Sequence, residues 1–134
     1  MTRVHINLRV KDLDASVAFY SALFHASPTM RKDDYAQWLL DDPSLNLSVI
    51  PAGNAATGVD HLGIQAATDG ELSEIEERIA VSKGPVLDEG DTVCCYAQSR
   101  KSWVDDPDGV RWEAFFTSAR TEHMHEASDA GACC

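Results

Sequence analysis

Two histidines stand at matching places in the chain. His5 falls in Val4-His-Ile-Asn-Leu-Arg-Val10 and His61 in Val59-Asp-His-Leu-Gly-Ile-Gln65, fifty-six positions later. In both runs apolar residues alternate with others: Val4, Ile6, Leu8 and Val10 in the first, Leu62, Ile64 and Ala66 in the second. A period of two is a strand with one packed face, so each histidine lies on the opposite face. A third run, Val110-Arg-Trp-Glu-Ala-Phe-Phe116, sets Arg111, Glu113 and Phe115 on one face and Val110, Trp112, Ala114 and Phe116 on the other. Two imidazoles and one carboxylate from three strands make a facial ligand set for a divalent metal, with roughly three of six octahedral positions left open. Open positions serve chemistry rather than structure. A histidine in a half-buried strand also serves as an ordinary satisfied polar residue. Repetition at matching positions, with a carboxylate on the closing strand, favours the metal. Binding through neutral imidazole and carboxylate weakens as pH falls below about 6. His5→Ala or Glu113→Ala is expected to keep the fold and lose metal-dependent turnover. The other histidines, His25 after the first helix and His123 and His125 near the C-terminus, lie on no inward strand face.

The second chemical feature is Cys94-Cys95, in Thr92-Val-Cys-Cys-Tyr-Ala97. Free cysteines often serve as small buried hydrophobes, and a strand with two of them fits that use. In a regular strand their side chains point to opposite faces. Only a bulge or loop turns both sulfurs to one ligand. A disulfide between neighbours closes a strained ring. A further pair, Cys133-Cys134, ends the chain.

The elements that must hold these residues are legible from their periodicity. Leu13, Val17, Tyr20, Leu23 and Phe24 recur at helical spacing behind Asp12, an N-cap. Thr68-Asp-Gly-Glu71 reads as a capping box ahead of Leu72, Ile75 and Ile79. Further strands are expected at Tyr35–Leu40, Leu45–Ile50, Thr92–Ala97, Lys101–Asp105 and Val110–Thr117, with Asp106-Pro-Asp-Gly109 as a tight turn. The fold class is α+β: two tandem βαβββ modules, residues 1–52 and 58–117, whose polar faces line a shared concavity. Residues 118–134 are polar and small, a tail expected to be mobile.

Composition closes off other classes. The chain has 134 residues, 44% of them hydrophobic and 25% charged, enough for one domain with one core. A net charge of −11, with no basic cluster longer than Arg100-Lys101, argues against nucleic acid and anionic membranes. No stretch approaches the ~18 apolar residues of a membrane helix, and Met1-Thr-Arg-Val-His5 lacks the apolar core of a secretory signal. A cytoplasmic, reducing location is expected, where cysteines act as thiols or soft-metal ligands rather than as a disulfide framework.

The motifs resemble known proteins. His5, Lys11-Asp-Leu-Asp-Ala-Ser-Val-Ala-Phe-Tyr20, His61 and Asp106-Pro-Asp-Gly-Val-Arg-Trp-Glu113 together resemble the vicinal oxygen chelate superfamily of glyoxalases, bleomycin-resistance proteins and extradiol dioxygenases, over about residues 1–117. The resemblance implies paired modules closing a half-open barrel, within one chain or as a homodimer, with a divalent metal held by His5, His61 and Glu113 in the concavity. Many members carry a fourth ligand on the last strand of the first module. Leu45-Asn-Leu-Ser-Val-Ile50 offers no carboxylate there, which sets glyoxalase I aside and favours the three-ligand iron dioxygenases. Cys94-Cys-Tyr-Ala97 with Lys101, Trp103 and Asp106-Pro-Asp-Gly109, and Asp34-Tyr-Ala-Gln-Trp38 with Pro43 and Asn46, are similar to the organoarsenical carbon–arsenic lyases and the related cadmium-induced proteins. That similarity implies a trivalent organoarsenical bound at Cys94 and Cys95, Fe(II) as cofactor, O₂ as co-substrate, and arsenite as product. Lys101 is the nearest cation in sequence that could favour the thiolates. Two other readings share the fold. One is a cadmium- or arsenite-binding detoxification protein without turnover, using the same thiols with Cys133 and Cys134 as further candidate ligands. The other is a different metal-dependent enzyme or small-molecule resistance binder, which has no need of the cysteine pair.

Overall fold

The computed structural model describes residues 1–82 and 84–122. The chain divides into two compact units, one spanning Arg3–Asp60 and the other running from His61 onward and taking in Met1–Thr2. Each holds one helix against a sheet, the repeat expected from the sequence, and the class is α+β.

In the first unit β1 (Arg3–Val10) leads to α1 (Leu13–Phe24), then β2 (Met30–Lys32), β3 (Tyr35–Asp41) and β4 (Ser44–Pro51). The strands lie in the order β2-β3-β4-β1, with β4 parallel to β1 and antiparallel to β3. Asp12 caps α1 by accepting from the Ala15 N–H at 3.0 Å, as its type and place require. The helix closes on His25, whose φ of 51° puts it in the left-handed region. Leu13, Ala36, Trp38, Leu47 and Val49 form the core, with Ile6, Leu8, Tyr20 and Phe24 packed on them. These are the alternate residues of three strands, so His5, Asn7, Gln37, Asn46 and Ser48 share the sheet face turned away from α1. β2, three residues long, is too short to leave a periodic signal.

The second unit continues β5 (Gly58–Gln65), which begins at the boundary, into α2 (Asp69–Val81), β6 (Val86–Cys94), β7 (Ala97–Asp105) and β8 (Arg111–Arg120). The order is β5-β8-β7-β6, with β5 and β8 parallel and the rest antiparallel. The capping box is present: Thr68 Oγ1 accepts from the Glu71 N–H at 3.1 Å, and a Glu71 carboxylate oxygen reaches back to the Ala67 N–H at 2.8 Å. The core is smaller, built on Ala66, Leu72, Ile75 and Ala114 with Ile64, Ile79 and Phe116 around them. Arg100 on β7 ties α2 down, donating to Asp69 Oδ1 at 2.9 Å, to Ser73 Oγ at 3.2 Å and to Glu76.

Several strand boundaries differ from the sequence expectation: β6 already begins at Val86, β7 begins at Ala97 instead of Lys101, and the hairpin between them and the end of the last strand differ as well. Thr92–Ala97 is not one strand: β6 ends at Cys94, Cys95 and Tyr96 turn with φ of 53° and 60°, and β7 starts at Ala97. Positive φ at two successive residues marks a tight hairpin turn that normally recruits Gly or Asn, so Cys-Tyr gave no signal of it. The last strand continues to Arg120 instead of stopping at Thr117. The expected Asp106–Gly109 turn is formed, with the Gly109 N–H donating to the Asp106 carbonyl at 3.0 Å and Gly109 at φ 85°.

Candidate metal site and cysteine pair

His5 is buried on the inner face of β1, and its Nδ1 lies 3.0 Å from the Asn46 carbonyl oxygen. A carbonyl only accepts, so Nδ1 carries the proton and Nε2 carries the lone pair. This fixes the tautomer a metal ligand needs. The anchor is a backbone group brought in by β1–β4 pairing, where His5 sits opposite Asn46. Reading the sequence missed it, because a parallel pairing between distant strands leaves no local trace.

In the second unit the inner face is charged. His61 and Glu113 are both buried, and His61 Nε2 lies 3.5 Å from Glu113 Oε1. Two atoms bound to one transition-metal ion at about 2.1 Å each stand no more than about 4.2 Å apart, so this separation accommodates a shared ion. His5, His61 and Glu113 each offer one buried ligand atom, and the imidazole–carboxylate set suits Fe(II), Mn(II) or Zn(II). Trp103 packs edge-on against the His61 ring at 5.0 Å and donates through Nε1 to Glu89, the residue bulged out of β6 between Asp88 and Gly90.

Lys101 is where alternation puts it, on the same face of β7 as Trp103. Glu113 pairs with Trp103 across the ladder, so the Lys101 ammonium meets the carboxylate diagonally, Nζ to Oε2 at 2.8 Å, with both groups about 95% buried. The partner that the structure gives Lys101 is therefore Glu113. One carboxylate oxygen faces the lysine and the other faces His61. An uncompensated buried charge costs several kcal/mol, and this pairing removes it.

Cys94 and Cys95 occupy the β6–β7 hairpin with their sulfurs 3.6 Å apart, Cys94 buried and Cys95 half-buried. The turn at Cys95 and Tyr96 breaks the alternation that would have sent the two side chains to opposite faces. Their mutual separation exceeds the ~2.05 Å of a disulfide, so they are not bonded to each other. His25 is exposed at the end of α1. His123, His125, Cys133 and Cys134 lie outside the described residues.

Comparison with known proteins gives this arrangement a context. The chain is 38% identical to a trivalent organoarsenical cleaving enzyme of Thermomonospora curvata, over 100% of this chain and 89% of that protein. It is 33% identical to the cadmium-induced protein CadI of Mycobacterium bovis, over 100% and 93%. Among solved structures it resembles the Mn(II)-bound glyoxalase from Novosphingobium aromaticivorans, with a TM-score of 0.63 and 17% identity over 92% of this chain and 43% of that one. It also resembles a Streptomyces coelicolor methylmalonyl-CoA epimerase, with a TM-score of 0.59 and 21% identity over 89% and 99%. At those identities the solved structures speak for the fold. Among the described residues no helix is long and apolar enough to cross a membrane. The family profile matches residues 2–114, which takes in β1, both helices and every strand up to Glu113, and the chain belongs to the Glyoxalase/Bleomycin resistance protein/Dioxygenase superfamily.

Proposed function

We propose that this protein is a cytoplasmic, Fe(II)- and O₂-dependent lyase that cleaves the carbon–arsenic bond of trivalent organoarsenicals and releases arsenite. The observation that carries the reading is the vicinal pair Cys94 and Cys95, turned at a hairpin so that their sulfurs lie 3.6 Å apart. The named relatives at 34–38% identity support it.

In the reduced form two cysteine thiols exchange with the two hydroxyls of R–As(OH)₂, each thiol proton leaving with a hydroxyl, giving R–As(S-Cys)₂ and two waters. The third arsenic bond keeps the carbon to be removed. Trivalent arsenic is soft and prefers sulfur, whereas the metal is held by the harder set of His5, His61 and Glu113. Bound Fe(II) would supply oxygen activation. The chain's own part is to keep Nδ1 of His5 protonated against Asn46, to neutralise Glu113 with Lys101, and to present the arsenical by its cysteines.

The match to the cadmium-induced protein favours one other reading, sequestration of cadmium or arsenite without turnover, in which Cys133 and Cys134 would add ligands. Reduced protein loaded with Fe(II) and given methylarsenite under air separates the two. Catalytic arsenite release is expected. Stoichiometric binding with no arsenite released would establish sequestration instead.

A further inference from the structure

The β6–β7 ladder is irregular close to His61. Leu87 stands opposite Trp103 and Asp88 opposite Ser102, but Gly90 rather than Glu89 stands opposite Lys101, so Glu89 is an extra residue bulged out of β6. Gly90 takes a φ of 61°, which glycine adopts without steric cost, and its N–H donates to Asp88 Oδ1 at 2.8 Å. A bulge disrupts the ladder locally and re-aims a side chain. Here the re-aimed group is the Glu89 carboxylate, which accepts from Trp103 Nε1.

The bulge also keeps two carboxylates apart. In an unbroken ladder Glu89 would fall opposite Lys101, and opposite charges in directly opposed positions attract. The lysine would then face Glu89 as well as Glu113. With the bulge the position opposite Lys101 belongs to a glycine, and Lys101 keeps its 2.8 Å contact with Glu113. Glu89 instead pins one edge of the indole. Trp103 is buried, and Lys101 Nζ and Arg111 Cζ lie 6.0 and 5.8 Å from its ring centre, both in cation–π range. An indole held by a carboxylate and two cations is a fixed wall. His61 stands against that wall, with ring centres 5.0 Å apart and an interplanar angle of 77°. All of these residues belong to the second unit.

We infer that Glu89 and Trp103 are positioning residues for His61: the β6 bulge delivers a carboxylate to the indole N–H, and the indole holds the imidazole in the orientation a metal ligand needs. The inference rests on the reading of His61 and Glu113 as metal ligands. It assigns to Glu89 and the Gly90 bulge a purpose beyond strand pairing. No bond is made or broken by either residue.

The test is equilibrium binding of Mn(II), which thiolates hold poorly, to the full-length protein. Electron paramagnetic resonance reads it twice, since the aqua-ion signal gives free metal and the bound signal reports the symmetry of the site. Trp103→Phe and Glu89→Leu should each weaken Mn(II) binding by about 10–100-fold, the usual loss when the outer partner of a ligating histidine is removed, and should alter the bound signal. Glu89→Gln keeps an oxygen that accepts from the indole, so its affinity should stay within about threefold of the parent. Glu89 is half-buried on an edge strand, so the Leu and Gln variants decide the matter if Trp103→Phe does not fold. Parent-like binding in Glu89→Leu or in folded Trp103→Phe, or equal losses in Glu89→Leu and Glu89→Gln, overturns the positioning role and leaves the metal site intact. A parent that binds no Mn(II) overturns the metal site, and the inference with it.

Discussion

The two units share one element order but present different chemistry on their inner faces. In the first, His5, Asn7, Gln37, Asn46 and Ser48 are buried and no carboxylate or ammonium stands among them. In the second, the equivalent face holds an ion pair, Lys101–Glu113, with His61 against the carboxylate. A strand's inner positions are every second residue, so one pleated frame accepts either set without rearrangement. The histidine common to both units is the part the repeat has kept. The difference around it is chemical: the second unit buries an ion pair, the first only neutral polar groups.

The largest expected effect lies at the sulfurs. Cys94→Ser or Cys95→Ser should weaken phenylarsenite binding to the reduced protein by a factor of a hundred or more, since a hydroxyl is a hard, protonated donor at neutral pH. Both variants should still take up Fe(II). Thiol titration with phenylarsenite checks this, and parent-like stoichiometric binding in both variants would sink the lyase assignment.

Next comes the ion pair, where the structure changes an expectation. Sequence reasoning has Glu113→Ala keeping its fold, but that change strips Lys101 of its carboxylate inside the protein. Breaking a buried pair from one side costs about 3–5 kcal/mol. Lys101→Met should cost a similar amount, and the double variant Lys101→Met/Glu113→Leu much less than the sum. Denaturant melts of the three variants measure the coupling. A near-additive result would mean the pair is not closed in solution. In the first unit His5→Ala removes no charge partner, so it should abolish Fe(II) binding with a smaller stability loss, which would sharpen the contrast between the copies.

How far the sequence went follows the same division. Both helices, their caps and the inward faces of β1, β5 and β8 were legible, because apolar alternation and the Asp12 and Thr68 signals are local. The candidate ligands His5, His61 and Glu113 follow from those faces. What stayed hidden is either non-local or lacks a residue signature. The Asn46 carbonyl reaches His5 only through a parallel pairing across forty-one positions. The split between β6 and β7 depends on two positive-φ residues that are neither Gly nor Asn. Lys101 stands out in the sequence by its charge, yet its partner follows from the β7–β8 register, which alternation alone does not fix.

The smallest expected effect concerns how each unit holds its helix. α1 is held by aromatic packing: Tyr20 and Phe24 lie with ring centres 5.8 and 6.2 Å from that of Trp38. α2 covers a core of smaller side chains and relies in addition on Arg100, which bonds Asp69, Ser73 and Glu76. Burial works against the Arg100 charge, but its hydrogen bonds to Asp69 and Glu76 outweigh that and raise its pKa above the ordinary guanidinium value. A raised pKa on a cation stabilises the fold at every pH below the unfolded value, so Arg100 itself introduces no pH dependence in the neutral range. The arginine is 25% exposed and Asp69 is 66% exposed, so solvent screening keeps the contribution near 1 kcal/mol. Arg100→Met should therefore lower stability by about 1 kcal/mol, and by less in 1 M salt, where the Debye length is about 3 Å. Removing Tyr20 with Tyr20→Ala should cost more and show no salt dependence. Parallel denaturation curves at low and high salt decide the matter: equal salt sensitivity in the two variants would show that the ionic tie on α2 does not distinguish it from α1.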